Sequence, residues 1–579
     1  MLRKNKLVLR VTLALIVILM SGSVIAYSLF VQHNLWLAKA PVGAKLVPQD
    51  TLITALVSTD SGKWRQLERY GTPNTLAAFV RQLAQLEESL LTENGYDYED
   101  DIQPWLGETV MIAYRGDSTF APETESEQTS PVTLPFIKLP DLIILPINNP
   151  AQAKEIWAKT TYQKVTQFGE RTYRGVQIRE TQKPNSQNYS VTVLERFVVV
   201  TSNPQTMEQV IDTYKGVKSV ASTPGYIEAL ATIDTTQAFA QVYLNLPAFT
   251  AATAAANSTR SLPPEQLAQR QPQQGLVTSI SLESDGIRFR GMSWLKPNSQ
   301  NAYPIENTSS RLPRRLPANT RLMLSGSNFA QLWNSYAQNA PSNPLIPIPP
   351  ANLSAGIQTT LGVDVQEDLL PWMAGEWVIA LIPATEDLLT PPENQPPPML
   401  GAGITVMILS SDRAATEKAF QQLDQVMETR YQLTVENTQL NNQPVVRWTS
   451  PLGGITATHG WLEGNIAFLT FGAPIADAIV PQPQAPLTQT PLFQQIVPTK
   501  PSPHNGQVFI EVERLLNRDN LNLPQLPSQL DQMMQAIRAI GLTTAVEDQQ
   551  NTRFDLFVKL KTILPSNPVP VPSSPIPSP

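Results

Sequence analysis

One stretch of this chain is written twice, and that repetition constrains the fold more than any other feature. Gly95-Tyr-Asp-Tyr-Glu-Asp-Asp-Ile-Gln-Pro-Trp-Leu-Gly107 returns as Gly362-Val-Asp-Val-Gln-Glu-Asp-Leu-Leu-Pro-Trp-Met-Ala-Gly375. Asp97, Asp101, Pro104 and Trp105 align without a gap on Asp364, Asp368, Pro371 and Trp372, and Gly107 corresponds to Gly375. Each copy leads into a strand-like run, Glu108–Tyr114 and Glu376–Ile382. The order of the later segments also repeats. A proline-rich loop comes next in both halves (121–140 and 384–398), then an apolar strand (Asp141–Ile147 and Ile404–Leu409) and a helix. Further on, Thr223-Pro224 matches Thr490-Pro491, and Gln241–Leu246 matches Gln507–Val512. Gly275-Leu276 matches Gly541-Leu542.

The chain therefore reads as two tandem units, residues 46–296 and 316–562, joined by a polar linker at 297–315. Its 579 residues exceed one ordinary core, which agrees with that division. Strand runs at Tyr189–Thr201 and Thr456–Thr470 each hold two apolar segments, and Gly464-Asn465 suits a two-residue turn. Leu76, Phe79, Val80, Leu83, Leu86 and Leu90 share one helical face, with Thr72 and Pro73 placed to start the helix. Phe420, Leu423, Val426 and Met427 form a similar face after Asp412. Strands that succeed one another without helical crossovers favour an antiparallel sheet with helices on one face, so the fold class is α+β.

The N-terminus carries a separate signal. Arg3, Lys4, Lys6 and Arg10 precede an uncharged run from Val11 to Val31. At 1.5 Å per residue that run reaches roughly 30 Å, the thickness of a hydrocarbon core. Basic residues before the span place residues 1–10 in the cytoplasm, 11–31 in the membrane and the rest beyond it. Residues 32–45 become a juxtamembrane linker. Ala38-Lys39-Ala40 has the form of a signal-peptide cleavage site, but Pro41 comes directly after it and the apolar run exceeds the roughly 7–15 residues of such signals. Residues 563–579 form a proline-rich tail with no core-forming pattern, which suits a solvated polyproline II segment.

The shared Asp-Pro-Trp segment is the natural candidate for a site. Asp97, Glu99, Asp100 and Asp101 carry oxygen donors for a hard cation, but the alternating donors and distal glutamate of a calcium loop are missing. In the second copy only Asp364, Glu367 and Asp368 remain acidic. A structural role accounts for the shared residues better. Asp97 and Asp364 cap a short helix, Asp100 and Glu367 complete a capping box, Pro104 and Pro371 end it, and Trp105 and Trp372 plug the core. Ten acidic side chains between Glu93 and Glu127 face only Arg115, a pattern of a solvated face or a docking patch for a basic partner.

Catalytic patterns are missing from the sequence. With no cysteine, thiolate chemistry is excluded, and the three histidines (His33, His459, His504) stand at no ligand spacing. No Gly-x-Ser-x-Gly elbow occurs. Ser58-Thr-Asp-Ser-Gly-Lys-Trp64 lacks the leading glycine and the hydroxyl residue of a phosphate loop. A net charge of −7 supplies no basic field for nucleic acid.

The anchor, the Leu46-Val-Pro48 lead-in, the Tyr70-Gly-Thr-Pro73 helix start and the Asp101-Ile-Gln-Pro-Trp-Leu-Gly107 segment before a strand together resemble a cyanobacterial family known as domain of unknown function 3352. The resemblance covers most of the chain after the anchor. It implies an envelope or thylakoid-facing location in a photosynthetic bacterium and brings no activity, ligand or catalytic residue. The expectation is a membrane-tethered, extracytoplasmic binding or scaffold protein with no catalysis, no cofactor and no bound metal, its bulk periplasmic or thylakoid-lumenal. Its partner would be an unidentified protein. The alternatives are a carrier or sensor of an apolar ligand such as a lipid, and a hydrolase whose paired carboxylates meet only in space.

Overall fold

The computed structural model describes residues 40–91, 96–116, 140–153, 167–182, 188–256, 263–339, 349–384, 401–450, 456–516 and 528–563. The expected cytoplasmic segment, the anchor at 11–31 and all but the first residue of the tail lie outside them. Among the described residues no helix is long and apolar enough to cross a membrane.

These residues build a mixed helix and antiparallel-sheet fold around one sheet of 20 strands. The first ten are β1 (Ile53–Ser58), β2 (Thr109–Tyr114), β3 (Leu142–Pro146), β4 (Gln167–Tyr173), β5 (Val176–Gln182), β6 (Ser190–Leu194), β7 (Phe197–Thr201), β8 (Ala240–Asn245), β9 (Gln273–Glu283) and β10 (Gly286–Leu295). The second ten are β11 (Leu322–Gly326), β12 (Trp377–Pro383), β13 (Ala402–Leu409), β14 (Thr434–Leu440), β15 (Gln443–Thr449), β16 (Thr456–Leu462), β17 (Ile466–Gly472), β18 (Gly506–Ile510), β19 (Ile537–Val546) and β20 (Asn551–Leu560).

From one edge the order is β4-β5-β6-β7-β3-β2-β1-β8-β9-β10. It continues β20-β19-β18-β11-β12-β13-β17-β16-β15-β14. Counted from either edge inward, corresponding strands of the two halves come in the same sequence. The central seam is the β10–β20 ladder, paired from Gly286↔Lys559 to Trp294↔Asn551. Val277 joins Tyr243 on one side and Met292 on the other, just as Gly541 joins Phe509 and Phe557. Two residues back along β10 and β20 stand Arg290 and Asp555, and these two are register partners of each other.

Helices cover both faces of the sheet, not the single face expected. In β1, Ile53, Ala55 and Val57 pack with Trp64 and Leu67 of helix Ser61–Leu67, while Leu56 packs with Met207 and Val210 of helix Pro204–Tyr214. In β12, Val378, Ala380 and Ile382 join one cluster and Trp377 another, beneath Phe420 and Leu423 of helix Arg413–Thr429. A strand buried on both sides reads as a near-continuous apolar run without polar alternation, and Ile53–Val57 is such a run, a sign of two-sided cover that the one-face expectation passes over.

Local signals agree with the structure where a single side chain decides the geometry. Thr72 caps helix Pro73–Leu90 in a capping box with Thr75, and Pro73 occupies its first turn. Asp412 Oδ1 accepts from Ala415 N at 3.0 Å to open helix Arg413–Thr429. The turn at Gly464-Asn465 differs from expectation: Leu462 pairs with Ile466, so the loop has three residues, with Gly464 and Asn465 both at positive φ. The Gly275-Leu276 match is also displaced. Val242 and Val508 correspond, but Val242 faces Thr278 while Val508 faces Leu542, placing Leu542 two residues beyond Leu276. A shift of two keeps every side chain on its face, so hydrophobic pattern alone does not resolve it.

Candidate functional site

The twice-written segment folds the same way both times. Asp97 precedes a wide five-residue turn, Tyr98–Ile102, and its Oδ1 accepts from the backbone N–H of Glu99 (2.8 Å) and Asp100 (3.1 Å). Asp364 does this for Val365–Leu369, accepting from Gln366 (2.8 Å) and Glu367 (3.0 Å). The reciprocal contact does not come from Asp100 or Glu367, as a capping box requires. It comes one residue later: Asp97 N donates to Asp101 Oδ2 and Asp364 N to Asp368 Oδ2, both at 2.9 Å. The turns close i to i+5, so the side chain that faces back toward the cap lies four residues on. The tryptophan then locks the turn from below. Trp105 Nε1 donates to the Asp101 carbonyl at 2.6 Å and Trp372 Nε1 to that of Asp368 at 2.9 Å.

Trp105 and Trp372 are both buried, the first against Ile147 and Val198 and the second against Trp377 and Phe420. Pro104 and Pro371 are exposed just beyond their turns. Gly107 and Gly375 come next, where the chain enters the sheet. A Cβ on Gly375 would stand 2.0 Å from the Leu409 carbonyl oxygen, and one on Gly107 would stand 3.2 Å from Pro146 Cβ. Burial pushes the Tyr98 phenol up to about 12. These carboxylates hold their own backbone, and among the described residues no group of three or more His, Asp or Glu stands at metal-holding distance.

Ser58–Trp64 likewise serves the backbone. Asp60 caps the next helix through Gly62 N at 2.7 Å, and the Lys63 ammonium donates to the Ala238 carbonyl at 2.9 Å.

Two buried polar sites have no counterpart among the sequence motifs. His459 on β16 lies under helix Arg413–Thr429 with Nε2 2.8 Å from Asp424 Oδ1, which also accepts Trp448 Nε1 at 2.6 Å. The Phe420 ring lies 4.3 Å from the imidazole, and Nδ1 is buried without a hydrogen-bond partner. This cluster ties a helix to the sheet beneath it. Glu376, 4% exposed, accepts from Arg311 N (2.7 Å) and Leu312 N (3.0 Å), so the linker is clasped to the start of β12. Burial raises its carboxyl above the usual range, against the downward pull of those N–H groups.

A charged network also crosses the seam. Asp555, 7% exposed, accepts from Arg288 Nη1 (3.1 Å) and Arg290 Nε (3.4 Å), while Arg288 also pairs with Glu283 and lies 5.0 Å from the Phe557 ring centroid. Burial raises the Asp555 carboxyl, and the two guanidiniums oppose that shift. Apolar packing crosses the same line. One cluster joins Ile53, Trp64 and Phe289 to Val508, Leu542 and Leu556.

Residues 11–560 match the sequence profile of DUF3352, a protein of unknown function. No curated protein matches. Among solved structures, crystal form III of TP0453 is similar at 11% identity over 45% of this chain and 84% of that one, with a TM-score of 0.22. Crystal form I of the same protein gives 8% identity over 45% and 83%, with a TM-score of 0.20. Likenesses this distant carry no argument about fold or function.

Proposed function

We propose that this chain, which belongs to the DUF3352 family, is a membrane-tethered extracytoplasmic binding or scaffold protein that presents two related halves as one body. The observation that carries the reading is the seam. A nine-pair ladder between β10 and β20 and a core shared by both halves make the two units one continuous surface. Two tandem copies of one unit, at 46–296 and 316–562, are supported by the matching strand order and by the self-facing position of Arg290 and Asp555, where an axis relating the copies would pass. The anchor at 11–31, the cytoplasmic N-terminus and a photosynthetic bacterial host rest on the sequence and the family resemblance.

A carrier of an apolar ligand needs space between sheet and helices. In the described cores that position is taken by Trp64, Phe239, Tyr243, Phe468, Phe509 and Phe557, each less than 2% exposed. This favours the scaffold. Native mass spectrometry of the full-length chain from its own membranes, with cross-linking alongside, tests the choice. The expected result is a lipid-free and pigment-free mass with a recurrent protein neighbour. A stoichiometric lipid or pigment mass would instead make the protein a tethered carrier.

A further inference from the structure

The sheet ends in two corresponding strands, β4 and β14, and the residues at their midpoints set them apart. β14 runs Thr-Val-Glu-Asn-Thr-Gln-Leu over seven residues and, among the described residues, pairs with β15 alone. The ladder decides which backbone groups β15 leaves free. Pro444 has no N–H, so its pair with Gln439 is not one that exchanges two backbone hydrogen bonds. Pair types alternate along an antiparallel ladder, so Asn437↔Val446 and Val435↔Trp448 are of the same kind as Gln439↔Pro444. The N–H and C=O groups of Val435, Asn437 and Gln439 therefore point away from β15. Asn437 and Gln439 are exposed, and among the described residues no backbone group outside the strand pair bonds to any of the three.

Proteins guard such edges with proline, lysine, bulges or very short strands. β14 has none of these, and its register is unbroken from Thr434↔Thr449 to Leu440↔Gln443. Its midpoint, Asn437, faces outward and carries no charge. A second β14 laid antiparallel about Asn437 sets Val435 against Gln439, Glu436 against Thr438 and Asn437 against its own copy. Every outward N–H and C=O then finds a partner, no like charges stand directly opposite, and Arg447 stays beside Glu436 on β15.

The other edge does not allow this. β4 turns into β5 through Arg174-Gly175, both at positive φ, so Tyr173↔Val176 closes the turn as a hydrogen-bonded pair. Alternation then points the backbone of Glu170, the midpoint of β4, outward. Two copies of β4 joined about their midpoints would set Glu170 against Glu170. A head-to-tail contact of β4 on β14 would need Arg171 for Glu436, but Arg171 is held by Glu180 (2.8 Å) and Glu208 (2.6 Å) of its own half.

We infer that β14 is a self-pairing edge: a second copy of this chain adds its own β14 antiparallel, with the two-fold axis through Asn437, and the sheet continues across two molecules. The inference rests on strand geometry and charge and is independent of the scaffold reading. One strand pair is a small interface, so the dimer is concentration-dependent.

The chain has no cysteine, so an introduced thiol reports its own neighbour. Residues that exchange hydrogen bonds across an antiparallel pair have Cα atoms roughly 5.5 Å apart, within the reach of a disulfide. Full-length protein in detergent, oxidised and separated without reductant, should give a covalent dimer with Asn437→Cys. The yield should be roughly tenfold above that of Glu436→Cys, whose two copies are offset along the strand, and of Glu170→Cys on the other edge. Asn437→Lys, an exposed substitution that sets charge against charge, should shift self-association to roughly tenfold higher concentration in sedimentation velocity. Wild-type unfolding temperatures establish that the variants are folded. No covalent dimer with Asn437→Cys, equal linking with Glu436→Cys, or self-association indifferent to Asn437→Lys overturns the pairing. Glu170→Cys combined with Asn437→Cys should stop at the dimer, and a ladder of larger linked species would overturn the two-fold arrangement in favour of head-to-tail growth.

Discussion

Asp555→Ala removes the one carboxylate shared by two arginines at the seam. Breaking a buried ion pair from one side costs roughly 3–5 kcal/mol, most of it the stranded partner charge. Here Arg288 keeps Glu283, and Arg290, with a side chain 37% exposed, keeps Asp234 at 3.6 Å. Both retained contacts pull the cost to the lower end, about 2–3 kcal/mol. Asp555→Asn behaves differently. Burial has raised the carboxyl above its ordinary value, so the folded protein takes up that proton more readily than the unfolded chain does. The raised group contributes stability that is fully present below about pH 4 and is lost as pH rises through its elevated folded pKa. The amide never ionises and never loses that contribution. Asp555→Asn should therefore gain on wild type as pH rises from 4 to 7, while keeping an acceptor for Arg288. Urea unfolding tracked by tryptophan fluorescence, repeated across that pH range, reads both effects. An Asp555→Ala cost under about 0.5 kcal/mol, a surface-pair value, would refute the burial argument. So would an asparagine variant that falls behind wild type as pH rises.

The remaining predictions concern local geometry. Gly375→Ala should cost about 3 kcal/mol or more because its Cβ meets a backbone oxygen at 2.0 Å, and Gly107→Ala about 1, since Pro146 needs to yield only slightly; paired thermal melts give the ranking. Asp101→Ala and Asp368→Ala should each destabilise by about 1–2 kcal/mol, and Asp101 more, because its side chain is packed at 1% exposure while Asp368 is only half-buried; equal losses would contradict this. Glu376→Ala strands two linker N–H groups and should cost about 2–4 kcal/mol, whereas Glu376→Gln retains an acceptor and should cost under about 1 at pH 7. Because burial raises the Glu376 carboxyl as well, the glutamine variant should flatten part of the stability loss seen as pH climbs above 4, measured as the melting midpoint against pH.

How much a sequence discloses depends on how far apart its interacting residues lie. Thr72, Asp97, Asp364 and Asp412 each cap the backbone within three residues of themselves, and spacing alone locates them. Spacing points to Asp100 for the return contact that Asp101 makes, because a wide turn and an α-turn share the same first residue and differ only in closure. Cover on both sheet faces is written in the near-continuous apolar run Ile53–Val57, whose lack of polar alternation points to burial on either side. His459 meets Asp424 across 35 residues and Arg288 meets Asp555 across 267, contacts made by strand order that no motif records. The crevice lined by Gly225, Trp294 and Gln550 combines the helix Tyr226–Thr232, β10 and the β19–β20 turn, so no contiguous segment announces it.

Arg290 and Asp555 carry a consequence for how such a chain sorts itself. Any residue on the axis of an assembly of identical units must confront its own copy, and a charge there would repel itself. Halves joined in one polypeptide are free of that constraint, and the facing pair at this seam holds opposite charges. The first half placed against another first half in this register would set arginine against arginine, and two second halves would set aspartate against aspartate. Each half thus meets opposite charge in the other and like charge in a second copy of itself, so during synthesis the charge at this edge favours pairing of the emerging first half with the second half of its own chain.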